Sequence, residues 1–292
     1  GHYAYVTDQF EGLRVIDILE PSSPFEVGFC SLPGITRGIV ISGNFAYITG
    51  RPWGAEGANA LRIVDISDPQ KPSQRSFYEV PGTTGWPAIS GKYVLVPSWD
   101  DGLRIIDVSD PDKPVEAAFY NGALELNGLG VSENYAFLPD SVLNALIILD
   151  ISDLNNLKEV AVYPFADRAL GGIVEIVGNL AYVNCWLSSL RILDISKLET
   201  PVEIGFYDEI PGLFFGVDVS NQNYAYLANY QSATKNKLKV LDISDLSKIT
   251  EIADLSSPDR IYGIAVSGVY AYLAAYSSGF RVVDISTPSS PL

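Results

Sequence analysis

Carboxylates are the side chains of this sequence that could do chemistry, because histidine and closely spaced cysteines are all but missing. Histidine occurs once, as His2, so a His-ligated zinc site or a Ser-His-Asp triad has nothing to be built from. Cys30 and Cys185 stand 155 residues apart and form neither a CxxC pair nor a disulfide framework; no bridge between them is expected. Three groups of acids remain. Asp17, Asp65, Asp107, Asp150, Asp194, Asp242 and Asp284 each end the same short phrase. Equivalent carboxylates could bind cations, but a site normally breaks symmetry. An Asp before a turn commonly accepts backbone N–H bonds, so these are read as scaffold. Asp100-Asp101, in Ser98-Trp99-Asp100-Asp101-Gly102, lack the Asp-x-Asp-x-Asp-Gly spacing of a calcium loop and read as a hairpin turn. Asp218 takes a slot held elsewhere by Val40, Ala88, Gly130 and Ala265, and Glu175 falls in or next to that slot one repeat earlier. Two such acids could share a proton or hold Ca²⁺; the plainer reading is solvation or pairing with a base.

The slot exists because the chain repeats. Leu13-Arg14-Val15-Ile16-Asp17-Ile18 returns from Leu61, Leu103, Leu146, Leu190, Leu238 and Phe280, with Asp spacings of 48, 42, 43, 44, 48 and 42. A period in the forties suits a four-stranded propeller blade. Gly38-Ile39-Val40-Ile41-Ser42 illustrates the first strand of each repeat, followed by a tight turn such as Gly43-Asn44. The second strand alternates aromatic and small residues, as in Tyr3-Ala4-Tyr5-Val6 and Tyr224-Ala225-Tyr226-Leu227. The Leu-Arg-Val-Ile-Asp phrase is the third. Ile66-Ser67-Asp68-Pro69 then turns the chain, since Pro cannot continue a ladder, and a fourth strand such as Glu203-Ile204-Gly205-Phe206-Tyr207 follows. Strands are β-branched and aromatic, with no helical period. The arginines at 14, 62, 104, 191 and 281, with Lys239, are read as scaffold that pairs with acids.

The prediction is an all-β, seven-bladed β-propeller over residues 1–292, one domain of four-stranded antiparallel blades with one blade incomplete. At a mean period of 44.5, seven whole repeats need about 311 residues against the 292 present. The shortfall matches an innermost strand before Tyr3 and an outer strand after Pro291, which puts the chain ends in one blade or at its seam.

Leu13-Arg14-Val15-Ile16-Asp17 and Leu61-Arg62-Ile63-Val64-Asp65 resemble the LVIVD repeat of bacterial and archaeal secreted proteins. The Tyr-Ala-Tyr-Val strand followed by Val-Ile-Asp is also similar to the YVTN propellers of archaeal surface layers. The resemblance covers essentially the whole chain. It implies a propeller and an extracellular or cell-surface setting, and it brings no catalytic residues to carry over.

Composition bounds the partners. Hydrophobic residues make up 47% and charged residues 18%, enough for a core. The net charge is −16, which repels phosphate backbones and anionic lipid, so neither nucleic acid nor membrane insertion is expected. No apolar run approaches the ~20 residues that cross a bilayer. The chain has no Met and begins Gly1-His2, as a processed or trimmed product would.

Function is sought where repeats differ. In a propeller the loop entering the innermost strand and the loop between the second and third strands share one face, and there the loops vary: 49–60, 97–102, 139–145, 184–189 and 228–237. Trp53, Trp99 and Trp186 fall in second-to-third-strand loops, and Trp86 enters an innermost strand, where it is expected to plug a gap between blades. Phe214, Phe215, Tyr230, Tyr262 and Tyr276 map to the same end, as do Arg37, Arg51, Asp100 and Asn127. The expectation is a non-enzymatic binding or structural module, without a cofactor, that recognises a glycan, peptide or neighbouring surface protein by aromatic stacking and hydrogen bonding. The alternative is a propeller hydrolase or lactonase with a Ca²⁺-type metal near the channel, held by Asp218, Glu175 and Asn127 or Glu125. The lack of a usable His counts against it.

Overall fold

Burial separates the strand types as their sequences do. Middle strands such as Phe45–Arg51 are buried at five consecutive positions, because both sheet faces are covered. Outer strands such as Ser73–Glu79 alternate between exposed and half-buried positions, the period-2 signature of one covered face. The computed structural model describes residues 2–52, 58–166, 172–185, 189–208, 212–220, 223–232 and 235–292. These form an all-β, seven-bladed β-propeller of three- and four-stranded antiparallel blades, in which consecutive strands are neighbours.

The first sheet is β1 (Tyr3–Asp8), β2 (Gly12–Asp17) and β3 (Phe25–Ser31). The second is β4 (Ile35–Ser42), β5 (Phe45–Arg51), β6 (Ala60–Asp65) and β7 (Ser73–Glu79). The third is β8 (Ala88–Ser90), β9 (Tyr93–Ser98), β10 (Gly102–Asp107) and β11 (Val115–Tyr120). The fourth is β12 (Gly130–Ser132), β13 (Tyr135–Asp140), β14 (Ala145–Asp150) and β15 (Lys158–Pro164). The fifth is β16 (Val174–Val177), β17 (Leu180–Cys185), β18 (Ser189–Asp194) and β19 (Val202–Tyr207). The sixth is β20 (Leu213–Ser220), β21 (Tyr224–Ser232), β22 (Lys235–Asp242) and β23 (Thr250–Ser257). The seventh is β24 (Gly263–Ser267), β25 (Tyr270–Ala274) and β26 (Phe280–Asp284). Two sheets, rather than one, are therefore short by a strand. Among the described residues the first has no inner strand and the seventh no outer one. Leu292 already exchanges both backbone bonds with Asp284, at 2.7 and 3.0 Å. It stands where Ser73 stands opposite Asp65.

The repeated Asp does the same work in every sheet. Oδ1 of Asp17, Asp65, Asp107, Asp150, Asp194, Asp242 and Asp284 accepts the backbone N–H two residues on, at 2.8–2.9 Å. The turn is thus closed by its own carboxylate, and the scaffold reading holds over the cation reading. In four sheets the base of the third strand meets a glutamate of the outer strand: Arg14 with Glu26, Arg104 with Glu116, Arg191 with Glu203, and Lys239 with Glu251. Gln74 takes that glutamate's place beside β6. There Arg62 lies 6.0 Å from the Phe77 ring, and its Nε has no hydrogen-bond partner among the described residues. Asp101-Gly102 makes the expected tight turn: Gly102 has φ +95°, and a Cβ there would meet the Tyr120 carbonyl at 2.3 Å.

The chain divides into two compact units, Gly1–Leu143 with Leu149–Glu159, and Asn144–Ile148 with Val160–Leu292. In the first, Leu13, Ala46, Ile48 and Val64 pack the first sheet on the second. Tyr47, Leu61, Val94 and Ile106 pack the second on the third. In the second unit, Tyr182, Ile192, Phe214, Val217 and Leu227 join the fifth and sixth sheets. Tyr226, Val240, Leu273 and Val283 join the sixth and seventh. Each buried Val, Leu, Ile or Phe among them stabilises its unit by roughly 1.5–3 kcal/mol. Cys30 and Cys185 are buried and free, and burial pushes the Cys185 thiol up to about 11. Among the described residues no helix is long and apolar enough to cross a membrane.

Candidate functional site

In the second unit, the β21 end, the approach to β24 and the short 3-10 turn Tyr276–Ser278 bring an aromatic group together. Phe215 lies 6.2 Å from Tyr230 and 5.0 Å from Tyr262, ring centre to ring centre, and Tyr262 meets Tyr276 edge-on at 5.8 Å. Tilted and edge-on arrangements are those aromatic quadrupoles favour. Arg260 lays its guanidinium 4.1 Å above the Tyr230 ring, a contact worth about 0.5–2 kcal/mol. Its Nη2 donates to Tyr230 Oη at 2.8 Å, and Nη1 faces Tyr262 Oη at 3.5 Å. These phenols, Tyr262 first, raise the arginine pKa further.

The cluster is held from behind. Tyr276 has φ 42°, the left-handed region that a bulky residue seldom enters. Backbone bonds Ala275 N–H to Gly279 O and Ser278 N–H to Ala275 O, both 2.8 Å, fix that turn. Asp259 accepts from the Ser277 hydroxyl and, at 3.2 Å, from the Ser277 N–H. The fixed turn presents a ring that remains 50% exposed, while Tyr230, Tyr262 and Phe215 are half-buried.

In the first unit Arg37 lies 5.8 Å from the Trp99 ring and donates to the Thr84 carbonyl at 2.9 Å. Burial, then the charge of Arg51, lowers its pKa. Trp86 is half-buried; its backbone N–H donates to the Asn127 carbonyl at 2.7 Å, and a Cβ on Gly38 would meet its Cα at 2.7 Å. Asn127 is buried, Asp100 exposed with Oδ2 3.4 Å from the Thr83 N–H, and Arg51 exposed. Trp53 and Trp186 lie outside the described residues. Of the proposed face, the structure thus joins Arg37 with Trp99, Trp86 with Asn127, and Tyr230 with Tyr262 and Tyr276. Arg260 escaped the sequence reading. Its one signal was an arginine in a loop entering an inner strand.

The inner-strand acids are now in register. Glu175 pairs with Tyr182 and Asp218 with Tyr226, as Ala265 pairs with Tyr272, so Glu175 stands in the slot itself. Asp218 Oδ1 accepts from Val219 N–H at 2.7 Å and Oδ2 from Val266 N–H at 2.8 Å. Among the described residues its partners are backbone amides and not a base. Burial, then the Asp218 charge, pushes Glu175 up to about 7. No group of three or more His, Cys, Asp or Glu side chains able to hold a metal occurs among the described residues. Glu125, named for the calcium reading, accepts the Ser141 hydroxyl at 3.2 Å in the first unit.

The LVIVD repeat model matches residues 1–31, 33–80, 81–122, 127–164, 172–209, 216–256 and 262–292. The chain belongs to the LVIVD-repeat family. No curated protein matches it in sequence. Among solved structures it is similar to the periplasmic gluconolactonase PpgL of Pseudomonas aeruginosa. There the TM-score is 0.79 at 14% identity, covering 99% of this chain and 93% of that one. It is also similar to a candidate 6-phosphogluconolactonase of Bacteroides uniformis, with TM-score 0.81, 12% identity and coverage of 96% and 89%. The β-propeller domain of Cps50 (Swd1) from Myceliophteria thermophila gives TM-score 0.70 at 11% identity, with 97% and 96% covered. At these identities the likeness is one of fold.

Proposed function

We propose that this LVIVD-repeat propeller is a non-enzymatic recognition module working outside the cell or at its surface, and that it binds a saccharide at the Arg260 cluster. The observation that carries this reading is the grouping of Phe215, Tyr230, Tyr262 and Tyr276 around one arginine, with Tyr276 half exposed. Sugar rings present C–H faces that stack on such rings and hydroxyls that a guanidinium and phenols can bond, and exposed aromatic patches tend to mark interaction sites. A glycan array and a peptide array on the whole chain test it. Saccharide binding lost in Tyr262→Ala and Tyr276→Ala, with the melting temperature nearly unchanged, supports the module. Binding to peptides alone overturns the saccharide reading in favour of a protein partner.

A second reading rests on Glu175. A half-buried carboxyl pushed up to about 7 is suited to general acid–base work, and two of the similar folds are described as lactonases. Ca²⁺ would then have to share Glu175 with an Asp218 whose oxygens already accept two amides. Hydrolysis of glucono-δ-lactone that depends on Ca²⁺ and is abolished by Glu175→Gln would replace the module with this enzyme.

A further inference from the structure

The bases of this protein are of two kinds. Four of them, on third strands, are neutralised in place: Arg14 by Glu26, Arg104 by Glu116, Arg191 by Glu203 and Lys239 by Glu251. Arg260 makes no ion pair with any carboxylate among the described residues. Its guanidinium is held by uncharged groups, the Tyr230 ring at 4.1 Å and the Tyr230 and Tyr262 hydroxyls at 2.8 and 3.5 Å. Phenols orient the fork without cancelling its charge. A guanidinium carries five N–H donors, and the two phenol contacts leave several free.

The adjacent acid is turned to other work. Asp259 Oδ1 accepts the backbone N–H of Arg260 at 2.8 Å, and Oδ2 accepts both Ser277 donors. Ser277 is the chief reason its pKa is low, and the Arg260 charge the least of the causes. A chain with 35 acids and 19 bases thus holds this arginine away from its own acids, on an aromatic platform open to solvent at Tyr276. Electrostatic complementarity of that kind serves an incoming anion.

We propose that the Arg260 cluster selects acidic saccharides, ligands that carry a uronate-type carboxylate. The planar carboxylate meets the free N–H groups of the guanidinium fork, a match of geometry that an ammonium does not offer. The sugar ring lies against Phe215, Tyr262 or Tyr276. This rests on the saccharide reading above and adds the charge of the ligand to it.

Titration calorimetry of the whole chain with oligogalacturonate and with its carboxyl-reduced, neutral counterpart tests the proposal. The acidic oligomer is expected to bind about 10- to 100-fold more tightly than the neutral one, the range of a charge-assisted hydrogen bond. Arg260→Gln removes that preference, Arg260→Lys restores only part of it, and raising NaCl from about 0.05 to 0.5 M weakens the acidic ligand alone. Equal affinity for both oligomers overturns the selection of acids and leaves the saccharide site standing. A preference that survives Arg260→Gln also overturns it. If neither oligomer binds and no other saccharide does, both readings fall together.

Discussion

Glu175 and Asp218 hold the same register position on successive inner strands, each opposite the third residue of its second strand, yet their surroundings differ. Asp218 is bonded to two amides, while Glu175 has only burial and its neighbour's charge acting on it, and both raise its pKa, to about 7. The folded state therefore binds this proton more tightly than the unfolded chain does. Its contribution is fully present below the ordinary carboxyl value and is lost as pH rises through about 4.5 to 7. With the partial exposure of Glu175 discounted, the loss is roughly 1–2 kcal/mol. Urea unfolding of wild type and Glu175→Gln across pH 4–8 measures it. The substituted chain should lose this component of the slope and be the more stable at pH 8. Parallel pH profiles would refute the buried-acid account.

Asp218 should behave as a structural acceptor. Asp218→Ala leaves the Val266 N–H without its carboxylate and is expected to cost about 1–2 kcal/mol. It also removes the charge that raises Glu175, so the Glu175 carboxyl resonance should titrate at lower pH in this variant. An unchanged Glu175 titration would mean that burial alone sets its value.

The turn carboxylates predict a different pH response. Lys92, then Ser109, hold Asp107 down at about 2, so its contribution is present above the ordinary aspartate value and lost as pH falls through about 3.8 to 2. Asp107→Ala should cost about 0.5–1.5 kcal/mol at pH 7 and flatten the acid limb of the unfolding curve. Asp65→Ala, which loses the equivalent bond to Ser67, should cost a similar amount. A destabilisation confined to Ca²⁺-containing buffer would revive the cation reading.

Much of this was legible because the repeat names each residue's place. Seven copies of one phrase located every third strand, and the offset from Asp to the turn foretold the Oδ1 bond in all of them. Tyr230, Tyr262 and Tyr276 could be mapped to one end of their sheets by counting along the strands. Counting failed where pairing or tertiary contact decides. Glu175 sits in β16, a strand of four residues, and only its partner Tyr182 fixes the register. Arg260 matters through what stacks on it, thirty residues away at Tyr230, and no local pattern announces that contact.

Asn184 supplies the last prediction. It is the fifth residue of its second strand, 1% exposed, and among the described residues neither its Nδ2 nor its Oδ1 has a hydrogen-bond partner. The same position in the first and second sheets is threonine, and there the hydroxyl bonds the chain entering the next inner strand. Thr7 Oγ1 donates to Arg37 O at 3.0 Å and Thr49 Oγ1 to Gly85 O at 2.7 Å. The longer amide of Asn184 makes no such bond, and a buried unsatisfied amide costs about 1–3 kcal/mol. Asn184→Thr should recover the bond and stabilise the protein by about 1 kcal/mol. Asn184→Val, which removes the polar atoms and offers no donor, should be neutral or mildly stabilising. Thermal and urea unfolding of the two variants decide the matter. If both are instead destabilised by more than about 1 kcal/mol, the amide is bonded in solution, to ordered water. The unsatisfied-amide account then fails.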